Sequence, residues 1–158
     1  MKTILITGAS SGIGCALAKI YAENSHNLVL VARREEKLKD LKEELEKKHS
    51  ISVIIEVMDL SKKENLEILS LKYKNIDVLI NNAGLGQYGK FDSYNLETDI
   101  SMINLNILTP IILTKFFAKS MKSGSKIINI ASTAGFQPVP LMAIYSATKS
   151  FIVDFTLA

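Results

Sequence analysis

Tryptophan is absent from this 158-residue chain, and cysteine occurs once. A single cysteine excludes an internal disulfide, and a reducing, cytoplasmic setting is the expectation. Strong charge of one sign is missing too. The formal net charge is +3 with the signs interspersed, so there is no basic stripe of the kind nucleic acid requires. No unbroken apolar run reaches the ~18 residues of a membrane-spanning helix. The opening Met1-Lys2-Thr3-Ile4-Leu5-Ile6-Thr7 runs after a few apolar residues into a glycine-rich turn, which reads as a buried strand and not as a signal peptide. His26 and His49 have no ligand-like neighbours, so no metal site is expected. What is present is apolar: 47% hydrophobic residues suffice for a sizeable core, and the length fits one domain, residues 1–158.

Short apolar runs alternate with longer amphipathic segments. The runs are Thr3–Thr7, Asn27–Ala32, Ser52–Val57, Val78–Asn81 and Lys126–Ala131. Most of their positions are apolar instead of alternating, as in parallel strands covered on both faces. Between them, Ile13, Ala16, Leu17, Ile20 and Tyr21 fall on one predicted helix face, as do Leu38, Leu41 and Leu45 in a Glu- and Lys-rich stretch. The charges of that stretch read as a solvated helix face. Repeated strand–helix alternation predicts an α/β fold with a doubly wound parallel sheet in three layers. Pro110 interrupts an otherwise helical Thr98–Met121, where a kink is expected. A loop holding Gly84, Gly86 and Gly89 separates Asn82 from about Ser93. Phe116, Phe117, Phe136, Phe151 and Phe155 read as core or interface aromatics, and Cys15 as a packing residue.

The first strand ends in Thr7-Gly8-Ala9-Ser10-Ser11-Gly12-Ile13-Gly14, with a helix following directly. Glycines let a backbone turn tightly and approach a phosphate. A helix N-terminus adds unpaired N–H groups and the positive end of its dipole, and Ser10 and Ser11 add hydroxyl donors. The spacing is G-x-x-x-G-x-G, not the G-x-G-x-x-G of the common dinucleotide fingerprint. Further along, Tyr145 and Lys149 are one helical turn apart on one face. An ordinary tyrosine, with a pKa of about 10, is a poor proton donor at neutrality, and a neighbouring ammonium lowers that pKa.

This pattern resembles the short-chain dehydrogenase/reductase family. The glycine turn matches its cofactor motif, Asn81-Asn82-Ala83-Gly84 its Asn-Asn-Ala-Gly, and Tyr145-Ser146-Ala147-Thr148-Lys149 its Tyr-x-x-x-Lys. Asp59 falls where the family has a carboxylate near the adenine ring. Ser132 follows the fifth strand, and Asn106 lies in the long helix at the family's catalytic asparagine, with Asn104 as the alternative. The resemblance implies a Rossmann-type fold and an oxidoreductase moving hydride between a nicotinamide cofactor and a carbonyl or alcohol. Tyr145 would be the acid/base, Ser132 would bind the substrate oxygen, Lys149 would hold the nicotinamide ribose, and Asn106 would hold a water. It implies cofactor contacts at Gly8, Ser10, Ser11, Gly12, Ile13, Gly14, Asp59, Leu60, Asn81, Ala83, Gly84, Tyr145 and Lys149.

The cofactor choice follows from the second strand. Where an acidic residue would favour NAD, this chain has Ala32, followed by Arg33 and Arg34. Guanidinium groups suit a 2′-phosphate, so NADP(H) is expected, with Arg33 the first candidate and Arg34 assisting. The plain alternative makes both surface cations opening an acidic helix. The chain stops at Ala158, inside the helix carrying Lys149, without the family's usual C-terminal strands. The expectation is therefore an open apolar edge at Ile127, Ile128 and Ile130, completed by pairing with another chain, as in a homo-oligomer, or by aggregating. The apolar Phe136–Met142 stretch points to a partly apolar small-molecule substrate. The competing readings are a non-catalytic NADP(H)-binding fragment and an interaction module working through the sheet edge.

Overall fold

In the first strand, Ile4 and Ile6 belong to one buried cluster, while Leu5 between them belongs to another. Both faces are covered, which is why the run has no solvent-facing alternate position. The computed structural model describes residues 1–158. In chain order its elements are β1 (Thr3–Thr7), α1 (Gly12–Glu23), β2 (Asn27–Ala32), α2 (Glu35–Lys48), β3 (Val53–Val57), α3 (Lys63–Lys72), β4 (Val78–Asn81), α4 (Leu96–Ile103), α5 (Thr109–Ala118), β5 (Lys126–Asn129) and α6 (Ala143–Leu157). The sheet has five strands in the order β3-β2-β1-β4-β5, every pair parallel. This is the three-layer, doubly wound α/β fold expected. The chain moves outward from β1 through β2 to β3, then returns to place β4 on the other side. The reversal opens a crevice beyond the carboxyl ends of β1 and β4, where ligands bind in sheets of this kind.

One core joins β1 and β2 to Ala18 and Ala22 of α1 and to Leu38, Leu41 and Leu45 of α2. The other joins Leu5, Val29, Val31 and Leu79 to Leu66 and Leu69 of α3 and to Leu113 and Phe117 of α5. Each fully buried aliphatic side chain contributes roughly 1.5–3 kcal/mol.

Several expectations need correction. The inward face of α1 is Gly14, Ala18 and Ala22, whereas Ile13 and Ile20 are 58% and 52% exposed. Leu17 and Tyr21 do pack on the core, part-buried, as their spacing predicts, while the small residues take the line nearest the sheet. The break in the long helix is not at Pro110 but just before it: Asn104–Leu108 form a π-helical turn, and Pro110 sits in the first turn of α5. Proline has no N–H, so the Asn106 carbonyl four residues back loses its α-helical donor. β5 is the outer strand, so the open edge expected there is present, but Ile127, Ile128 and Ile130 are not laid bare along it. They pack, half-buried, on the two cores, because side chains leave a strand through its faces and only backbone groups line its edge. Of the phenylalanines, Phe117 is buried and Phe136 exposed, and Phe151 stacks on Phe155 at 5.7 Å. The continuous helical stretch Leu96–Ala118 is long and apolar enough to cross a membrane. Its charged Glu97, Asp99 and Lys115 break the run but not the average, and here it covers one face of the sheet.

Candidate active site

The crevice is built first by glycine. Gly8 and Gly12 adopt φ of +68° and +55°, a left-handed backbone that costs other residues ~1–2 kcal/mol. Gly14 is required for another reason: a Cβ there would lie 2.5 Å from both the Gly8 carbonyl oxygen and Asn82 Nδ2. Asn82 fastens the turn, its Nδ2 donating to the carbonyls of Thr7 at 2.9 Å and Gly8 at 3.2 Å. Thr7 Oγ1 donates to the Ile80 carbonyl and accepts from the N–H groups of Asn82 and Ala83, each at 3.0 Å. Sequence reasoning assigned neither residue a role. The available signal was their polarity at strand ends, where a buried polar group needs a partner.

A cavity of about 320 Å³ opens over this turn. Gly8, Ser10, Ser11, Ile13, Arg33, Arg34, Asp59, Leu60, Ala83 and Gly84 line it, together with Val31, Ala32, Met58, Asn82 and Leu105. Most of the expected cofactor set is thus gathered around one space. Gly14 lies behind it as a packing residue. Asn81 is not there: its Nδ2 donates to Asn129 Oδ1 at 2.8 Å and to Thr114 Oγ1 at 3.3 Å, tying β4 to β5 and α5. The reason is strand alternation, which sends consecutive residues to opposite sides.

Electrostatically the cavity is prepared for an anion at one end. Ser11 caps α1 without a side-chain hydrogen bond, and the first turn carries no acidic residue, so the positive end of the helix dipole is unopposed by a local carboxylate. Arg34 reaches over the turn, its Nη2 donating to Ser10 Oγ at 3.0 Å and to Ser11 Oγ at 2.5 Å. Arg33 lies nearer Asp59. Burial pushes the Asp59 carboxyl up, but hydrogen bonds from the Ser61 N–H and hydroxyl, with the charges of Arg33 and Lys62, outweigh it and hold the group below its ordinary range.

Past the glycine turn lie Tyr145 and Lys149 of α6, Asn106 of the π-helical turn and Ser132 after β5. Lys149, 6% exposed, donates from Nζ to the Ile130 carbonyl at 2.9 Å and lies 5.8 Å from the Tyr145 ring centroid. Burial pushes its ammonium below the usual 10.5. Asn106, 2% exposed, accepts the Leu85 N–H at 2.8 Å and donates to Thr148 Oγ1 at 3.0 Å. A Cβ on Gly84 would sit 3.4 Å from Asn106 Oδ1 and 3.5 Å from Lys149 Nζ, so the first cavity reaches the lysine across a glycine. Asn104 contributes its backbone carbonyl to Thr109 Oγ1, which separates it from the cluster that Asn106 joins. Ser132 accepts the Ala134 N–H at 3.2 Å and opens a short turn whose Gly135 is pressed onto the Lys149 backbone. Tyr145 lines a second cavity of about 190 Å³ with Phe91, Tyr94, Met102, Leu141, Met142 and Ile144. A phenol, a cation 5.8 Å from its ring and a largely apolar cavity that also carries Gln87, Lys90 and Asp99 are thus placed side by side.

Comparison with known proteins agrees with this geometry. The family model described as short chain dehydrogenase matches residues 2–158. An 11-beta-hydroxysteroid dehydrogenase-like protein of Arabidopsis thaliana is 37% identical over 161 residues, covering 98% of this chain and 54% of that protein. An NADP-dependent 3-hydroxy acid dehydrogenase of Schizosaccharomyces pombe is 37% identical over 165 residues, covering 99% of this chain and 64% of that one. Among solved structures, a short-chain dehydrogenase from Sphingobium yanoikuyae in complex with NADPH superposes with a TM-score of 0.94 at 36% identity, over 99% of this chain and 64% of that one. The chain therefore spans about half to two-thirds of the length of these relatives.

Proposed function

Because the chain belongs to the short-chain dehydrogenase family, we propose that it takes part in hydride transfer between NADP(H) and a small carbonyl or alcohol substrate. The observation that carries this reading is a cavity holding the glycine turn, Arg33 and Arg34, whose Gly84 borders Lys149, beside a second cavity that Tyr145 lines. The residues present fit the cofactor. The left-handed Gly12 has open space where a Cβ would stand, and the α1 N-terminus offers unpaired donors to a pyrophosphate. Two guanidinium groups and no carboxylate end β2, which favours a 2′-phosphate over a free 2′-hydroxyl. Arg34, already on Ser10 and Ser11, is placed at least as well for this as Arg33. The cofactor, when bound, supplies the hydride.

The remaining chemistry belongs to this chain. In reduction Tyr145 gives its phenolic proton to the carbonyl oxygen, and in oxidation its phenolate takes the proton back. Lys149 favours the phenolate electrostatically, Ser132 holds the same oxygen, and Asn106 keeps the loop after β4 against α6. The mostly apolar lining of the second cavity, with Lys90 and Asp99 among its residues, suits a ketone with an aliphatic or aromatic body. The test is a parallel titration with NADPH and NADH followed by thermal stability, since a ligand of the folded state stabilises by RT ln(1 + [L]/Kd). Preferential stabilisation by NADPH, with NADPH oxidation lost in Tyr145→Phe, is the expected result. No shift with either nucleotide would remove the basis of the proposal.

A further inference from the structure

Thr148 stands between the two residues of the Tyr-x-x-x-Lys pair and is 1% exposed. Its hydroxyl donates to the Tyr145 backbone carbonyl at 2.8 Å, as helical threonines often do to a preceding turn. The second bond is not local: Thr148 Oγ1 also accepts from Asn106 Nδ2 at 3.0 Å, across 42 residues of sequence. Asn106 in turn grips the backbone of Leu85 on both sides, accepting its N–H and donating to its carbonyl, each at 2.8 Å. The Asn106 amide is thereby fully used, with both Nδ2 hydrogens donated and Oδ1 occupied.

One hydroxyl thus closes a ring through α6, the π-helical turn and the loop after β4. The loop leads directly to Gly86, where a Cβ would lie 3.3 Å from Cδ2 and Cε2 of the Tyr145 ring. Lys149, held to the Ile130 carbonyl, lies 5.8 Å from the centroid of the same ring. Valine would fill the volume of Thr148 but leave a buried Asn106 N–H without an acceptor, which buried groups seldom tolerate.

We propose that Thr148 is a positioning residue for proton transfer: through Asn106 and Leu85 its hydroxyl holds the Gly86 loop against the Tyr145 ring and so fixes that ring near Lys149. The inference rests on Tyr145 being the acid/base group. Thr148 touches no reacting atom. It acts by keeping the phenol where the ammonium favours its ionised form. Without it the ring drifts from Lys149 and the phenol holds its proton more tightly.

The experiment compares Thr148→Val, Thr148→Ala and Thr148→Ser in the whole chain. The Tyr145 titration is followed by 13Cζ-tyrosine NMR, its signal assigned with Tyr145→Phe, and NADPH binding by thermal shift. The expected result is that Val and Ala weaken the Tyr145 acid constant about threefold or more with NADPH binding unchanged, that Ser restores it, and that the pH profile of alcohol oxidation moves upward by the same factor. A Tyr145 titration unchanged in Val and Ala overturns the proposal. So does a Ser variant that behaves like Val. Unfolding of Val and Ala with Ser folded assigns the hydroxyl to stability alone and overturns it too. Turnover that persists in Tyr145→Phe instead sinks the parent reading, and the NMR titration separates the two failures.

Discussion

The Lys149 ammonium is hydrogen-bonded to the Ile130 carbonyl at 2.9 Å and lies 5.8 Å from the centroid of the Tyr145 ring. The lysine is anchored to the end of the sheet while the tyrosine rides the same helix one turn earlier. Their spacing is therefore set by α6 itself, with the Ile130 carbonyl fixing where the ammonium points.

Burial, which lowers the Lys149 pKa from 10.5, gives a signed pH prediction. The unfolded chain binds this proton more tightly, so the lysine costs the folded state stability below its folded pKa. That cost fades as pH rises toward 10.5. Lys149→Met is expected to raise the unfolding free energy by about 1 kcal/mol at neutral pH, with the gain over wild type shrinking as pH rises. NADPH-dependent turnover should fall by at least ~100-fold. Urea unfolding across pH checks the first part, and a destabilised Met variant at neutral pH would contradict it.

Glycine substitutions separate packing from cofactor approach. Gly14→Ala forces a Cβ to 2.5 Å from the Gly8 carbonyl and should destabilise by about 2–3 kcal/mol. Gly12→Ala meets only the left-handed backbone at φ +55°, about 1 kcal/mol, but should lose NADPH-induced stabilisation. Gly124→Ala, at φ +86° and also in open space, is the control: similar strain, with nucleotide binding intact.

Arg33 and Arg34 should carry the choice between nucleotides. Arg34→Ala releases Ser10 and Ser11 and is expected to weaken NADPH about tenfold or more while leaving NADH nearly unchanged. Arg33→Ala should do the same to a lesser degree. Equal losses for both nucleotides would place the guanidinium on the pyrophosphate instead.

Leu141 adopts φ +65°, its carbonyl clipped by the Gly89 N–H at 2.9 Å, and it lines the cavity beside Tyr145. Leu141→Gly removes a left-handed strain of about 1 kcal/mol, which offsets the loss of a side chain that is 47% exposed. Melting temperature should hold or rise, while KM for an aromatic ketone rises severalfold. A lower melting temperature would show that the leucine side chain is held by packing.

The fold was legible because its signal is local and repeated. Three strands, β1, β2 and β4, have the bounds their apolar runs predict, and Leu38, Leu41 and Leu45 of α2 turn inward as their spacing requires. The ordered motifs likewise named Tyr145, Lys149, Asn106 and the glycine turn; in the structure Gly84 joins the cavity over the turn to Asn106 and Lys149, and Tyr145 lines the cavity beyond. Other features were not legible. Asn81 and Asn82 are identical letters with opposite destinations, one bracing β5 and the other holding the turn. Arg33 and Arg34 differ only in where the chain points them. Glu56 on β3 receives Lys72 and the Tyr73 hydroxyl, a partnership that no spacing announces.

The sequence by itself determined the alternation of strands and helices, the glycines that the first turn cannot do without, and the chemical types available for catalysis. These follow from backbone sterics and from periods that neighbouring residues share. Only the tertiary structure decided which face of α1 meets the sheet, that the long helix yields in a π-turn before Pro110, and that Thr148 closes on Asn106. Each of these depends on the distance between elements far apart in the chain, and that distance exists only once the layers have packed.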